Sequence, residues 1–232
     1  MTIATHRWDL SVPEAITLQK QLREQIELTP LEKEVRYVGG ADISFNKYSE
    51  TVYAGVVVLE LATLKEVDRS LVVTEAHFPY VPGLLSFREI PSLLQAWEKL
   101  ALKPDVLIVD GHGIAHPRRL GIATHLGLLI DVPTVGCAKS KLTGRYDEPD
   151  QEPGATSPLW DRHEQIGLVL RTKRKVQPLF VSPGHKITFA QSVQLVLQCI
   201  TKYRLPETTR HAHNAVNELR RQFTDSAPKS FD

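Results

Sequence analysis

Apolar positions along this chain follow first a helical and then a strand-like pattern. Ile16, Leu18, Leu22 and Ile26 recur at helical spacing and predict an amphipathic helix over 12–27, closed by Pro30. Residues 36–45, 51–62 and 65–76 are rich in Val, Ile, Leu and Tyr, and short polar links between them predict an antiparallel meander. The loop FPYVPGLLS holds two prolines and a glycine and cannot continue a strand. A helix over 87–102 follows, ended by Pro104. Then DVLIVD (105–110), an apolar run closed by an acid, predicts a buried central strand. Beyond the loop GHGIAHPRRLG, the pattern predicts a helix at 121–130 and a strand at 133–138. It continues with a long polar loop over 139–165, strands at 166–171 and 178–182, and helices at 188–202 and 210–222. Residues 224–232 are expected to fray.

Three strands, then helix, strand, helix, strand is the order of the ribonuclease H-like fold. This is an α/β architecture with a mixed central sheet flanked by helices, and residues 1–232 read as one domain. In such sheets functional groups collect where strand ends meet loops. Fold alone does not name an activity.

Composition narrows the classes. The 232 residues are 42% hydrophobic and 24% charged, which is ordinary globular usage, and no apolar run could span a bilayer. Cys137 and Cys199 lie far apart in sequence without a ligand pattern; they read as small buried hydrophobes of a cytoplasmic protein in a reducing compartment. A net charge of +1 means that any attraction for phosphate must be local. Arg88, Arg118, Arg119, Lys139, Lys141 and Arg145, with Lys173, Arg174 and Lys175 in RTKRK, are the basic residues available for it. No histidine is assigned to zinc.

Three acids carry the chemistry. Asp42 lies in the first strand, Glu89 in the first turn of the second helix, and Asp110 at the end of the central strand. The fold order brings these segments together, and clustered carboxylates with room for water suit Mg²⁺ or Mn²⁺. Taken singly, Glu89 serves equally as a helix N-terminal charge and Asp110 as a turn residue.

The segments FPYVPGLLSFREIPSLLQAWEKL and PDVLIVDGHGIAHPRRLGIATHLGLLIDVPTVGCAKSKLTG closely resemble the endonuclease V family, and a weaker likeness extends over about 35–210. The N-terminal helix region (1–34) and the tail (224–232) are outside it. The resemblance implies a ribonuclease H-like fold and Mg²⁺-dependent hydrolysis of the second phosphodiester bond 3′ of deoxyinosine, with Mn²⁺ able to substitute. It implies that Asp42 and Asp110 bind metal and that Glu89 is the third catalytic acid, placed with them at the metal. Lys139 matches a lysine near the cleaved strand, and His213 falls where relatives carry a histidine or an acid. Pro79, Tyr80, Val81 and Pro82 match a strand-separating wedge.

The expected base pocket comprises Gly83, Leu85, Gly111, Gly113, His116, Gly121, Ile122, Ala138 and Leu142. Glycines leave backbone groups unshielded, and a flipped hypoxanthine offers a carbonyl acceptor and a ring N–H that backbone can read. Adenine reverses that pair. The expected partner is DNA bearing deoxyinosine or another deaminated base, with no membrane. The alternatives are an inosine-specific ribonuclease, which would read the 2′-hydroxyl, and a non-catalytic lesion-binding module.

Overall fold

The computed structural model describes residues 6–46 and 49–225. Its elements run α1 (Val12–Leu22), β1 (Tyr37–Phe45), β2 (Thr51–Glu60), β3 (Glu66–Glu75), α2 (Leu85–Lys99), β4 (Val106–Val109), α3 (Ile122–Ile130), β5 (Thr134–Ala138), β6 (Thr156–Asp161), β7 (Glu164–Leu170), β8 (Leu179–His185), α4 (Phe189–Gln198) and α5 (Glu207–Asp225). The expected fraying concerns a tail whose last residues, 226–232, lie outside the described ones. The strands form one sheet in the order β3-β2-β1-β4-β5-β8-β7-β6. β1, β2 and β3 make the antiparallel meander, while β4 pairs in parallel with both β1 and β5, so the sheet is mixed.

Helices cover both faces, and successive residues of the central strands divide between them. Leu107 and Val109 of β4 pack with Ile90 and Leu93 of α2 and with Ala123 and Leu126 of α3. Val106 and Ile108 pack with Val193 and Val196 of α4 on the other face. In β2, Val56 and Val58 join the α2 side, whereas Val57 meets Ala212 and Ala215 of α5. Burial on both faces is why these strands read as unbroken apolar runs instead of alternating ones. Cys137 and Cys199 share the α4-side core as free thiols, as expected of small hydrophobes.

The structure corrects the sequence reading in two places. The expected loop over 139–165 contains β6, paired with β7 at the sheet edge. Its residues TSPLWD bury only alternate side chains, and Pro158 is tolerated because an edge strand has a row of unpaired backbone groups. α1 begins at a reciprocal Ser11–Glu14 capping box but stops at Leu22 instead of 27. Beyond it Ile26 turns extended, and the Glu27 carbonyl accepts the Lys186 N–H at 2.6 Å. The chain thus satisfies its backbone against the end of β8 in place of another helical turn.

One close approach sets the position of α5. A methyl group on Gly40 of β1 would stand 2.1 Å from the carbonyl oxygen of Thr208, in the first turn of α5. Only glycine lets this helix lie so near the strand. Gly40→Ala is expected to lower stability by about 2–3 kcal/mol through overpacking. Urea denaturation should show a lower midpoint with an unchanged slope. A midpoint equal to that of the parent would mean that α5 moves aside without cost.

Candidate metal centre and base cavity

The parallel register of β1 and β4 sets Ala41 opposite Val109. Asp42 and Asp110 are the next residues of the two segments, and the Asp110 N–H donates to the Ala41 carbonyl at 3.0 Å. Side-chain alternation turns both carboxylates toward the α5 face. There His213 Nδ1–H donates to Asp42 Oδ2 at 2.8 Å. One oxygen from each aspartate and one ring nitrogen of His213 lie within 4.8 Å of one another, the one such cluster of metal-ligating groups among the described residues. Asn217, one helical turn beyond His213, donates to its Nε2 at 3.2 Å, and Ser44 Oγ donates to Asn217 Oδ1 at 3.0 Å. The Asn217 bond leaves the imidazole proton on Nδ1, facing Asp42. Sequence reading missed Asn217; its spacing of four from His213 on a helix was the available signal.

Glu89, expected at the metal with the two aspartates, lies outside this cluster, where His213 stands instead, but it lines the same cavity of about 270 Å³ with Asp42, Asp110, Lys139 and His213. Lys139 pairs directly with Asp110. Burial, and then the charge of Asp110, push the Asp42 carboxyl up to about 6. Burial, and then the charge of Asp42, push Glu89 up to about 8. These acids resist ionising together. A dication would relieve that repulsion, and two carboxylates with one imidazole form a donor set that a divalent ion accepts.

A second cavity of about 310 Å³ adjoins the first on the α2–α3 side and shares Glu89, Asp110 and Ile122 with it. Gly83, Leu85, Gly111, His116, Gly121 and Leu142 line it as expected. Gly113 and Ala138 do not. Gly113 packs against Pro183, where an added methyl would meet the carbonyl oxygen at 2.2 Å. Its N–H donates to Ser182 Oγ at 2.9 Å and its carbonyl accepts from Gly121 N–H at 3.1 Å, so neither is left to read a base. Ala138 is buried with Leu159, Ile166 and Phe180 under the outer strands.

His112, which the sequence reading passed over, lines this cavity and has a buried Nδ1 with no partner. An unpaired buried nitrogen costs about 1–3 kcal/mol, so a ligand that bonded it would recover that cost. His112 and His116 stand four residues apart, a spacing that pairs metal ligands on a helix, but here they lie in a loop. Burial lowers both to about 4, which keeps them neutral.

The loop of Pro79, Tyr80, Val81 and Pro82, expected as a wedge, runs into the Gly83 wall of this cavity. Tyr80 is 62% exposed, whereas Val81 packs toward Phe78, Leu84 and Phe87. The loop ends at Gly83, in the left-handed region at φ 79°. Its carbonyl accepts from Gln19 Nε2 at 3.0 Å, His116 Nε2 at 3.1 Å and Arg118 Nη2 at 2.7 Å. Fully buried Gln19 also accepts from Arg118 Nε through its Oε1. One of two glutamines on an amphipathic helix, Gln19 carries no sequence signal of this role.

Most basic residues near these motifs are held by the protein itself. Arg88 donates to the Phe78 and Ser49 carbonyls, and Arg119 pairs with Asp161 and Glu164. In RTKRK, Arg171 is buried against Glu148 and Arg174 pairs with Glu152.

Comparison with known proteins agrees with this geometry. The profile of the Endonuclease V family matches residues 20–214. Endonuclease V of Myxococcus xanthus is 51% identical over 222 residues, covering 95% of this chain and 94% of that protein. The crystal structure of endonuclease V from Streptomyces avermitilis superposes with a TM-score of 0.90 at 38% identity, covering 97% of this chain and 100% of the other. Endonuclease V of Ciona intestinalis, solved in complex with a 24mer DNA containing an inosine followed by a ribo-adenosine, has a TM-score of 0.79 at 29% identity. That match covers 91% of this chain and 98% of the other. On a match that spans the sheet, both cavities and nearly the whole chain, the protein belongs to the endonuclease V family of metal-dependent nucleases.

Proposed function

We infer that this protein is a DNA repair endonuclease that acts on strands containing deoxyinosine and hydrolyses the second phosphodiester bond 3′ of the lesion, with Mg²⁺ as its cation and Mn²⁺ able to replace it. The observation that carries this reading is the junction of a carboxylate cluster with a cavity of about 310 Å³ open to solvent on one side, within the range of small-molecule sites. Asp42 and Asp110 would hold the cation, with His213 as third donor once its Nδ1 proton is released. When bound, it supplies positive charge for the reacting phosphate and lowers the pKa of water. Glu89 faces the same space and orients the attacking water through its carboxyl group. Lys139, beside Asp110, balances charge on the phosphate. The extruded base enters the second cavity, where Leu85, Ile122 and Leu142 supply apolar walls and His112 a ring nitrogen. Tyr80 fills the gap the base leaves in the stack.

Cleavage mapping on matched DNA and RNA strands, each with one inosine and Mg²⁺ present, tests the reading. A cut at the second bond 3′ of inosine in DNA is the expected result. The ribose following inosine in the Ciona complex favours a second reading, in which RNA is the preferred strand; cutting of RNA alone would replace the first reading with it.

Asp42→Ala and Asp110→Ala should each lower cleavage by at least about three orders of magnitude, the scale of losing a central electrostatic element. Inosine-specific binding should survive in Asp42→Ala, because Asp42, unlike Asp110, does not line the base cavity. Near-parental nicking by either variant would remove the metal-centre assignment.

Protons compete with the cation for raised carboxylates. Cation binding should therefore strengthen as pH rises from about 6 toward about 8 and release protons as it does so. Calorimetric Mn²⁺ titrations across that range check this, and a pH-independent affinity would contradict it.

Tyr80→Ala should weaken binding to inosine duplexes by about 1–3 kcal/mol, the worth of one stacked aromatic. The loss should be smaller on single-stranded inosine DNA, where there is less duplex to open. Equal losses on both substrates in a binding assay would indicate general damage to the loop.

A further inference from the structure

The base cavity lies on the α2–α3 side of the metal centre. The opposite side is built from the connections after β7 (171–178) and between α4 and α5 (199–206), which the reading above does not use. Arg204 fastens this region to the centre. Its Nη2 donates to the carbonyls of Lys139 at 2.9 Å and Pro178 at 2.8 Å, and its Nε donates to that of Gln177 at 2.7 Å. Thr172 Oγ1 donates to the Arg204 carbonyl at 2.8 Å, and the Lys173 ammonium donates to Thr201.

On this frame Tyr203 stands 47% exposed. The guanidinium of Arg210 lies 4.4 Å from its ring centroid and is itself held by Glu207 Oε2 at 2.8 and 2.6 Å. The Lys202 ammonium lies 5.8 Å from the same ring and makes no ion pair among the described residues. A lone exposed tyrosine needs no explanation. This one is braced by an ion-paired guanidinium, flanked by a lysine, and joined through Arg204 to Lys139 and so to Asp110. Aromatic faces for bases, interleaved with cations for phosphates, are the chemistry of single-strand binding.

We propose that Lys202, Tyr203 and Arg204, with Lys173 beside them, form a docking ridge for the substrate strand on the 3′ side of the cut, Tyr203 stacking on a base and Lys202 contacting a phosphate. The direction follows from the two sides of the centre. With the lesion base in its cavity and the cut 3′ of it, the strand that leaves the centre away from the cavity is the 3′ segment, and it passes Lys139 toward Arg204. The proposal rests on the reading that inosine strands are the substrate.

The test uses the full chain and single-inosine strands of constant 5′ arm, with 3′ arms graded from about 3 to about 15 nucleotides. For the parent protein kcat/KM should rise with arm length by a factor between about five and about a hundred and then level off, the range expected for one stacked base. The double variant Tyr203→Ala/Lys202→Ala should cut the shortest substrate as the parent does and gain nothing from longer arms. Tyr203→Phe should follow the parent. Lys202→Ala alone should reduce the salt slope of binding by about one on long arms. A double variant that keeps the full gain with arm length, or that loses the same factor on the shortest arm, overturns the ridge. Failure of the parent to cut any inosine strand overturns the functional reading itself, and the ridge with it.

Discussion

The site depends on the parallel pairing of β1 with β4. That register carries two carboxylates to the same height on adjacent strands, where burial and then the charge of Asp110 raise the cost of ionising Asp42. An antiparallel meander alone could not do this, because β1 must be shared between the hairpin to β2 and the crossover to β4. Much of the surrounding structure accommodates the clustered charge. Lys139 reaches back from the end of β5 to Asp110, and α5 crosses β1 at Gly40 so closely that His213, five residues past Thr208, meets Asp42. The glycine, the helix and the histidine therefore form one device: displacing α5 would separate the imidazole from the carboxylate before altering the strands.

The Gly83 carbonyl is the corresponding junction on the other side. Three donors from two separate segments, α1 and the loop after β4, converge on an oxygen at the end of the wedge loop. Because His116 Nδ1 accepts the Arg118 N–H, its Nε2 carries the proton and must donate. The neutral state enforced by burial supplies that tautomer without leaving an unpaired charge. The wall of the second cavity and the end of the loop that carries Tyr80 are thus one hydrogen-bonded unit, so on the proposed reading a displacement of Tyr80 would be felt at the cavity wall.

Legibility in the sequence followed chemical redundancy. The central strand, the meander and the acids at strand ends were readable because apolar runs and terminal carboxylates leave strong local signatures. β6 was not, since an edge strand with a proline and two inward side chains resembles a loop. The end of α1 was missed because its competitor, the Lys186 N–H, is remote in sequence. Glycines of the GHGIAHPRRLG loop were read together as pocket backbone, yet Gly113 turns toward Pro183. Sequence shows that a residue lacks a side chain, not which neighbour requires it. Gln19 and Asn217 were invisible for a related reason: each is polar, ordinary in its helix, and given its role by partners from other segments.

The charge pattern decides how such a protein can meet a polyanion. With a net charge of +1, long-range attraction is weak. Arg88, Arg118, Arg119, Arg171 and Arg174, which a composition-based view would place on phosphate, are held by carbonyls or carboxylates of the fold. Planar guanidinium groups suit that bracing work, since each satisfies several acceptors at once. What faces the solvent around the centre is different: Tyr80 and Leu142 with the lysines Lys139 and Lys141 on the cavity side, Tyr203 with Lys202 on the other. Contact with a strand therefore rests less on diffuse attraction than on short-range contact with exposed rings. Stacking on such a ring needs a base that has left its neighbours, so on the proposed reading the choice of a weakened base pair would begin before the base reaches the cavity.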